Sequence, residues 1–175
     1  QMMAGGYAFH SPLVEPVLDP FESAASQVTF ASPRIPLIST VTGSLIRGRE
    51  ASSAHYWRHQ TRAAVRFMEA MQALHQQGCD VFIELGPNPT LLALGKGCLP
   101  RGEELWLPSL RQKRGDWQQM LHSLAELYVR GGAIDWTGFW RANGSTPPTH
   151  GRPRKPRCWT RSRGTATTCS IAGSP

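Results

Sequence analysis

No Gly-x-Ser-x-Gly run occurs anywhere in the 175 residues, so the usual turn that exposes a nucleophilic serine is missing. Its absence leaves the histidines of the chain without an evident partner. The four cysteines, Cys79, Cys98, Cys158 and Cys169, form no C-x-x-C pair, which argues against a zinc site or a disulfide framework and for reduced structural thiols. Long apolar runs are lacking too. Stretches such as "DVFIELG" fall well short of the ~20 residues that a spanning helix needs, and the first residues lack the basic-then-apolar layout of a signal peptide. The expectation is a cytoplasmic chain with no membrane partner. Position 1 is Gln rather than Met, which suggests a piece of a longer polypeptide.

Acidic residues are scarce at one end. The net charge is +7, but residues 145–175 carry Arg152, Arg154, Lys155, Arg157, Arg161 and Arg163 with no acid, so most of the charge lies in a tail. That tail is rich in Gly, Pro, Ser and Thr, a composition that buries too little apolar surface to order itself. A basic disordered tail touches RNA non-specifically if at all, and nucleic acid is not an expected partner. The body is near neutral, and its apolar content of 40% is ordinary for a domain with a core.

Along the body the pattern alternates strand and helix. Ser11 and Pro12 suit an N-cap and a first helical position, with Leu13, Val17, Phe21 and Ala24 on one face and a kink expected from Pro16 and Pro20. "IPLISTVTG" reads as a buried strand ending at Gly43, followed by the polar loop "SLIRGREASSA". One helix is expected from His55 to Gln77, with Ala64, Met68, Met71 and His75 in a row, Phe67 and Leu74 beside it, and Gly78 as a left-handed stop. "DVFIEL" (80–85) reads as a strand, "GPNP" as a turn, "TLLALGKG" as a short helix and "ELWLPSL" as a strand. Asp116 with Gln119 resembles a capping box for a helix whose core side would be Trp117, Met120, Leu121, Leu124 and Leu127, ending at Gly131. The sum is an α/β fold with parallel pairing.

Few residues stand out chemically. His10 sits between a Gly-rich entry and a helix start, where a side chain can be aimed into a cleft. By itself a histidine there is more often structural. His55 and His59 are one helical turn apart, as metal ligands can be, but no third ligand accompanies them and no metal site is expected. Gly5 and Gly6 lack the strand and helix that a phosphate-cradling loop requires.

Taken together, "YAFHSPLVEPVLDPFE", "IPLISTVTG", "YWRHQTRAAVRF", "VFIELGPNPTLLALG" and "LPSLRQKRGDWQQMLHSLAELYVRGGAIDWTGF" resemble, in order and spacing, the acyltransferase domains of modular type I polyketide synthases and the linker that follows them. The resemblance covers residues 7–140. It implies the C-terminal portion of the hydrolase-like large subdomain of a malonyl/acyl-CoA:carrier-protein transacylase over residues 1–100. A helical post-acyltransferase linker would occupy 101–140 and a disordered tail 141–175. In that family a serine takes the acyl group from coenzyme A and passes it to the phosphopantetheine thiol of an acyl carrier protein. His10 matches the family's catalytic base, and the serine would lie upstream of this chain.

Tyr7 and Phe9 match positions that bear on substrate choice: Tyr7 is the residue found with methylmalonyl selection, Phe9 the one found with malonyl. Phe9 adjoins the base, so malonyl is the expected extender. Gln77 matches, loosely, a position whose backbone orients the imidazole. The chain itself would bind no cofactor. Malonyl-CoA would be its substrate, and the carrier protein, the ketosynthase and other synthase domains its partners. The alternative is a non-catalytic docking or linker module of a multidomain synthase. Beyond Phe139 the resemblance fades, and the turn to Arg, Pro and Thr has the composition of a shifted reading frame.

Overall fold

A computed structural model describes residues 8–100 and 102–142 and the backbone of Ser170–Ile171. Tyr7, Cys158, Cys169 and nearly all of the basic tail lie outside the described residues. The chain divides into two units, one comprising 1–79, 95–100 and 167–175, the other 80–94 and 101–166.

The first unit is built on two helices, a short hairpin and a third helix. Ser11 caps a 3-10 turn, Pro12–Val14, its Oγ accepting from Leu13 N–H at 3.3 Å. The turn leads directly into α1, Glu15–Ala25. Pro16 falls in the first turn, where the missing N–H would have had no partner, and the helix also runs through Pro20. The buried side of this segment is Val14 and Leu18, whereas Leu13, Val17 and Phe21, expected inside, are 78%, 56% and 39% exposed. The apolar face read from the sequence is therefore displaced by one residue from the face that packs on α2, Ala54–Arg62.

An ionic seam joins the two helices. Arg62 Nε meets Glu15 Oε1 at 2.9 Å, Arg58 pairs with both Asp19 and Glu22, and His55 Nδ1 lies 3.4 Å from Glu22 Oε1. The pairing order, 15 with 62 and 22 with 55, makes the helices antiparallel. These groups all remain in contact with solvent, so the pairs are screened and act mainly on alignment.

The expected strand is shorter and turns back on itself. β1, Leu37–Ser39, pairs antiparallel with β2, Ser44–Leu45, through a turn closed by Gly43 N–H to Ser39 O at 2.8 Å. Gly43 has φ +70, a left-handed conformation that glycine adopts cheaply. Ile38 is fully buried, and Ser39 is buried beneath Tyr56, whose hydroxyl donates to Ser39 Oγ at 2.8 Å. On its other side β1 pairs in parallel with β5, Ser170–Ile171.

The single helix expected from 55 to 77 is two helices. After α2 the chain is extended at Ala63 (φ −69, ψ 148), Arg66 N–H bonds Thr40 O at 2.8 Å, and α3 begins only at Phe67 and runs to Gln76. Its buried face is Ala70, Met71 and Leu74, with Met68 outside. Gly78, at φ +82, ends it as expected.

The second unit contains β3, Val81–Glu84, parallel to β4, Leu105–Pro108, as the sequence suggests. Phe82 and Trp106 stack with centroids 4.5 Å apart. After the turn 86–89, α4, Thr90–Gly95, is capped by Glu84, whose two carboxylate oxygens accept from the N–H groups of Leu91 and Leu92 at 3.1 and 2.8 Å. Two orphan donors of that helix are so satisfied.

α5, Asp116–Val129, packs on β4, and α6, Trp136–Ala142, follows it with Trp136 edge-on to Tyr128. Gln119 serves no capping box here. Gly115 is the N-cap, and Gln119 is 1% exposed, its Nε2 donating to Pro108 O and Ser123 Oγ. The buried stripe of α5 is Gln119 and Ser123, while Trp117, Met120 and Leu121 point outward.

Candidate active site

His10 occupies the residue before the Ser11 cap, and its backbone is left-handed, with φ +61. Non-glycine residues are uncommon there because Cβ crowds the backbone, at a cost of roughly 1–2 kcal/mol. Hydrogen bonds to the end of α2 hold the strained residue. Its N–H donates to Thr61 O at 3.0 Å and its ring Nδ1 lies 2.8 Å from Ala63 O. Ser11 Oγ donates to Ala8 O at 2.6 Å and ties down the preceding backbone.

Both acceptors belong to the end of α2, where the last carbonyls have no intrahelical partner. The extended Ala63 turns its carbonyl out of the helical row, so the break between α2 and α3 is the feature that supplies the acceptor. A carbonyl oxygen can only accept, so Nδ1 must carry the hydrogen. The lone pair of the neutral ring then resides on Nε2, the atom able to take a proton from a nucleophile.

The orienting role expected of Gln77 falls instead to the Ala63 carbonyl. Gln77 is the C-cap of α3, its N–H directed to Ala73 O and Leu74 O at 3.1 Å each. The loose similarity around Gln77 misled because a backbone acceptor leaves no side-chain signature. Phe9, the neighbour of His10, is 50% exposed, so its ring is available to contact a substrate. Tyr7 lies outside the described residues.

His55 faces Glu22, and among the described residues no cluster of three or more His, Cys, Asp or Glu side chains is arranged to hold a metal ion. Among the described residues neither Cys79 nor Cys98 is in a disulfide, and burial pushes the Cys98 thiol pKa upward. Among the described residues no helix is long and apolar enough to cross a membrane.

A strained histidine with one ring nitrogen held to a backbone carbonyl has the geometry of a group able to relay a proton through the other nitrogen. The family model for the acyl transferase domain matches residues 1–133, and the chain belongs to that family. Its relatives include the polyketide synthase GfsA of Streptomyces halstedii, 38% identical over 142 residues, which cover 79% of this chain and 2% of that protein. The atrochrysone carboxylic acid synthase of Aspergillus chevalieri is 36% identical over 139 residues, 77% of this chain and 8% of that one.

Among solved structures, the acyltransferase domain from the second module of the salinomycin polyketide synthase superposes with a TM-score of 0.73 at 35% identity. The match covers 84% of this chain and 35% of that domain's chain. The chain thus spans about a third of that acyltransferase chain and a few per cent of whole synthases. These similarities favour an acyltransferase over the docking-module alternative.

Proposed function

We propose that the chain is the base-bearing part of a polyketide synthase acyltransferase that moves a malonyl-type unit from coenzyme A to an acyl carrier protein. The observation that carries the proposal is the geometry of His10: a left-handed backbone clamped at N–H and Nδ1, leaving Nε2 as the proton acceptor. The nucleophilic serine is supplied by sequence outside these residues.

As its Oγ attacks the thioester carbonyl carbon, its proton passes to His10 Nε2. Collapse of the tetrahedral adduct breaks the C–S bond, and Nε2 returns the proton to the coenzyme A thiolate. The phosphopantetheine thiol of the carrier protein then attacks the acyl-serine, His10 taking the thiol proton and giving it to the departing serine oxygen. The Ala63 carbonyl keeps the ring in one tautomer through both halves. Phe9 stands next to the base and would restrict space beside the α-carbon of the acyl group. The reaction needs no metal ligand from this chain, the adjacent ketosynthase consumes the loaded carrier, and the setting is the cytoplasm.

The test joins the serine-bearing portion of the salinomycin acyltransferase upstream of this chain and follows labelled malonyl-CoA by mass measurement. The isolated chain should stay unmodified and the joined protein should become acylated. His10→Ala should slow transfer by ~10²–10⁴-fold, the usual range for general base catalysis. A stable adduct on the isolated chain, or near-full activity of His10→Ala, would refute the assignment.

A further inference from the structure

The carbonyl that holds the His10 ring belongs to a short extended segment fastened at both ends. Ala63 N–H donates to His59 O at 2.8 Å, so the start of the segment is carried by α2, whereas Arg66 N–H donates to Thr40 O at 2.8 Å, so its end is carried by the turn after β1. A shift of α2 against that turn would move Ala63 O relative to Nδ1, which lies 2.8 Å from it. A hydrogen bond weakens steeply once its length and angle leave the usual range.

One side-chain bond spans the two supports. Tyr56 stands on α2 about two helical turns before Ala63, is buried, and donates its hydroxyl to Ser39 Oγ at 2.8 Å. Ser39 is fully buried and directly precedes Thr40, and its Oγ also accepts from Val41 N–H at 3.2 Å, so the turn is pinned on both sides of Thr40. α2, the turn and the segment 63–66 therefore close a ring of hydrogen bonds. Packing alone does not ask for an oxygen at residue 56. Phenylalanine would fill the same space and keep the edge-on contact with Trp57, whose ring centroid lies 5.2 Å away.

We propose that Tyr56 and Ser39 are positioning residues for His10: their hydrogen bond holds α2 in register with the turn after β1 and so keeps the Ala63 carbonyl where it fixes the ring hydrogen on Nδ1. A neutral imidazole released from that carbonyl exchanges between two tautomers, and the one with its hydrogen on Nε2 has no lone pair there to accept a proton. The inference rests on the proposed function for the task of Nε2, whereas the tautomer itself is read without it.

The chain is isotopically labelled at its histidine nitrogens and observed by NMR at about pH 8.5, above the usual histidine range. Loss of signals in His10→Ala identifies the His10 ring. A nitrogen that bears hydrogen and one that bears a lone pair resonate far apart, so a locked ring gives widely separated shifts and a mixture gives shifts drawn together. The unaltered chain should show the locked pattern with Nδ1 protonated. Tyr56→Phe and Ser39→Ala should each draw the shifts together, and the double variant should go no further than the larger single change, because both remove the same bond. Leu74→Val shortens a buried side chain of α3 that makes none of these hydrogen bonds, and it should leave the pattern as it is. In the joined acyltransferase, Tyr56→Phe should lower kcat by about 2- to 10-fold, the worth of one hydrogen bond read as a rate, with KM for malonyl-CoA unchanged.

Circular dichroism of each variant checks that it folds. Should Ser39→Ala fail that check, because its Oγ also holds the turn, Tyr56→Phe and the pattern of the unaltered chain decide. A locked ring in Tyr56→Phe, a mixture already present in the unaltered chain, or an equal change in Leu74→Val would overturn the proposal. A ring loosened by Tyr56→Phe with transfer unaltered would refute the proposed function and leave the positioning role standing. Transfer that falls in His10→Ala, with ring and rate both unmoved in Tyr56→Phe, would do the reverse.

Discussion

Replacing His10 by glycine and by alanine separates what the residue costs from what it does. Both changes delete the Nδ1 bond to Ala63 O, worth about 0.5–1.5 kcal/mol. Alanine keeps the left-handed backbone at φ +61, and its penalty, whereas glycine removes a penalty of roughly 1–2 kcal/mol. Glycine also gives the unfolded chain more freedom, which takes back about 0.4–1 kcal/mol. His10→Gly should therefore be more stable than His10→Ala by about 0.5–1 kcal/mol and close to the parent. With a urea slope of roughly 1–3 kcal/mol/M, that is a midpoint difference of a few tenths of a molar, readable by circular dichroism. Both variants should lose acyl transfer equally in the joined protein, because neither carries a base. An alanine variant as stable as the glycine variant would show that residue 10 is not held in the left-handed region. The reasoning that its strain is maintained to aim the ring would then fail.

Three other outcomes follow from particular contacts. Gly43→Ala should destabilise the first unit by about 2–4 kcal/mol in urea unfolding, because it adds left-handed strain to overpacking: a Cβ there would sit 2.5 Å from Glu69 Cβ. An unchanged midpoint would mean that the turn is built differently. Phe9→Ser, in competition between malonyl- and methylmalonyl-CoA on the joined protein, should narrow a malonyl preference of roughly 10–200-fold, the span that one methyl group can supply. A ratio unmoved by the substitution would remove Phe9 from substrate choice. The Tyr56 phenol is pushed up chiefly by burial, so in the folded state it holds its proton where the unfolded chain has lost it. Stability from this group is complete below the ordinary tyrosine pKa of about 10 and is lost as pH rises above it. Tyr56→Phe should flatten that alkaline loss in unfolding measurements from pH 9 to 11, and an unaltered slope would count against the burial account.

Much of the chain is determined locally. Ser11 and Pro12 set a helix start, Gly78 and Gly131 stop helices with φ of +82 and +85, and "VFIEL" and "LWLP" form parallel strands because each carries its own punctuation and apolar run. The motif around His10 marks the residue as the proposed base, and the structure adds the strained, clamped backbone on which that proposal rests. What the sequence could not show is which partners these elements find. Ala63–Arg66 continues a helical pattern on paper, but the chain is extended there because Arg66 N–H bonds Thr40 O and the Ala63 carbonyl accepts from the His10 ring, bonds made by the backbone of 63–66 that none of its own side chains announces. Burial was decided the same way. α1 packs through Val14 and Leu18, and α5 through Gln119 and Ser123, because the ionic seam and the Pro108 carbonyl orient those helices. Hydrophobic periodicity marks the faces that are able to be covered, and only the tertiary hydrogen bonds select the one turned inward.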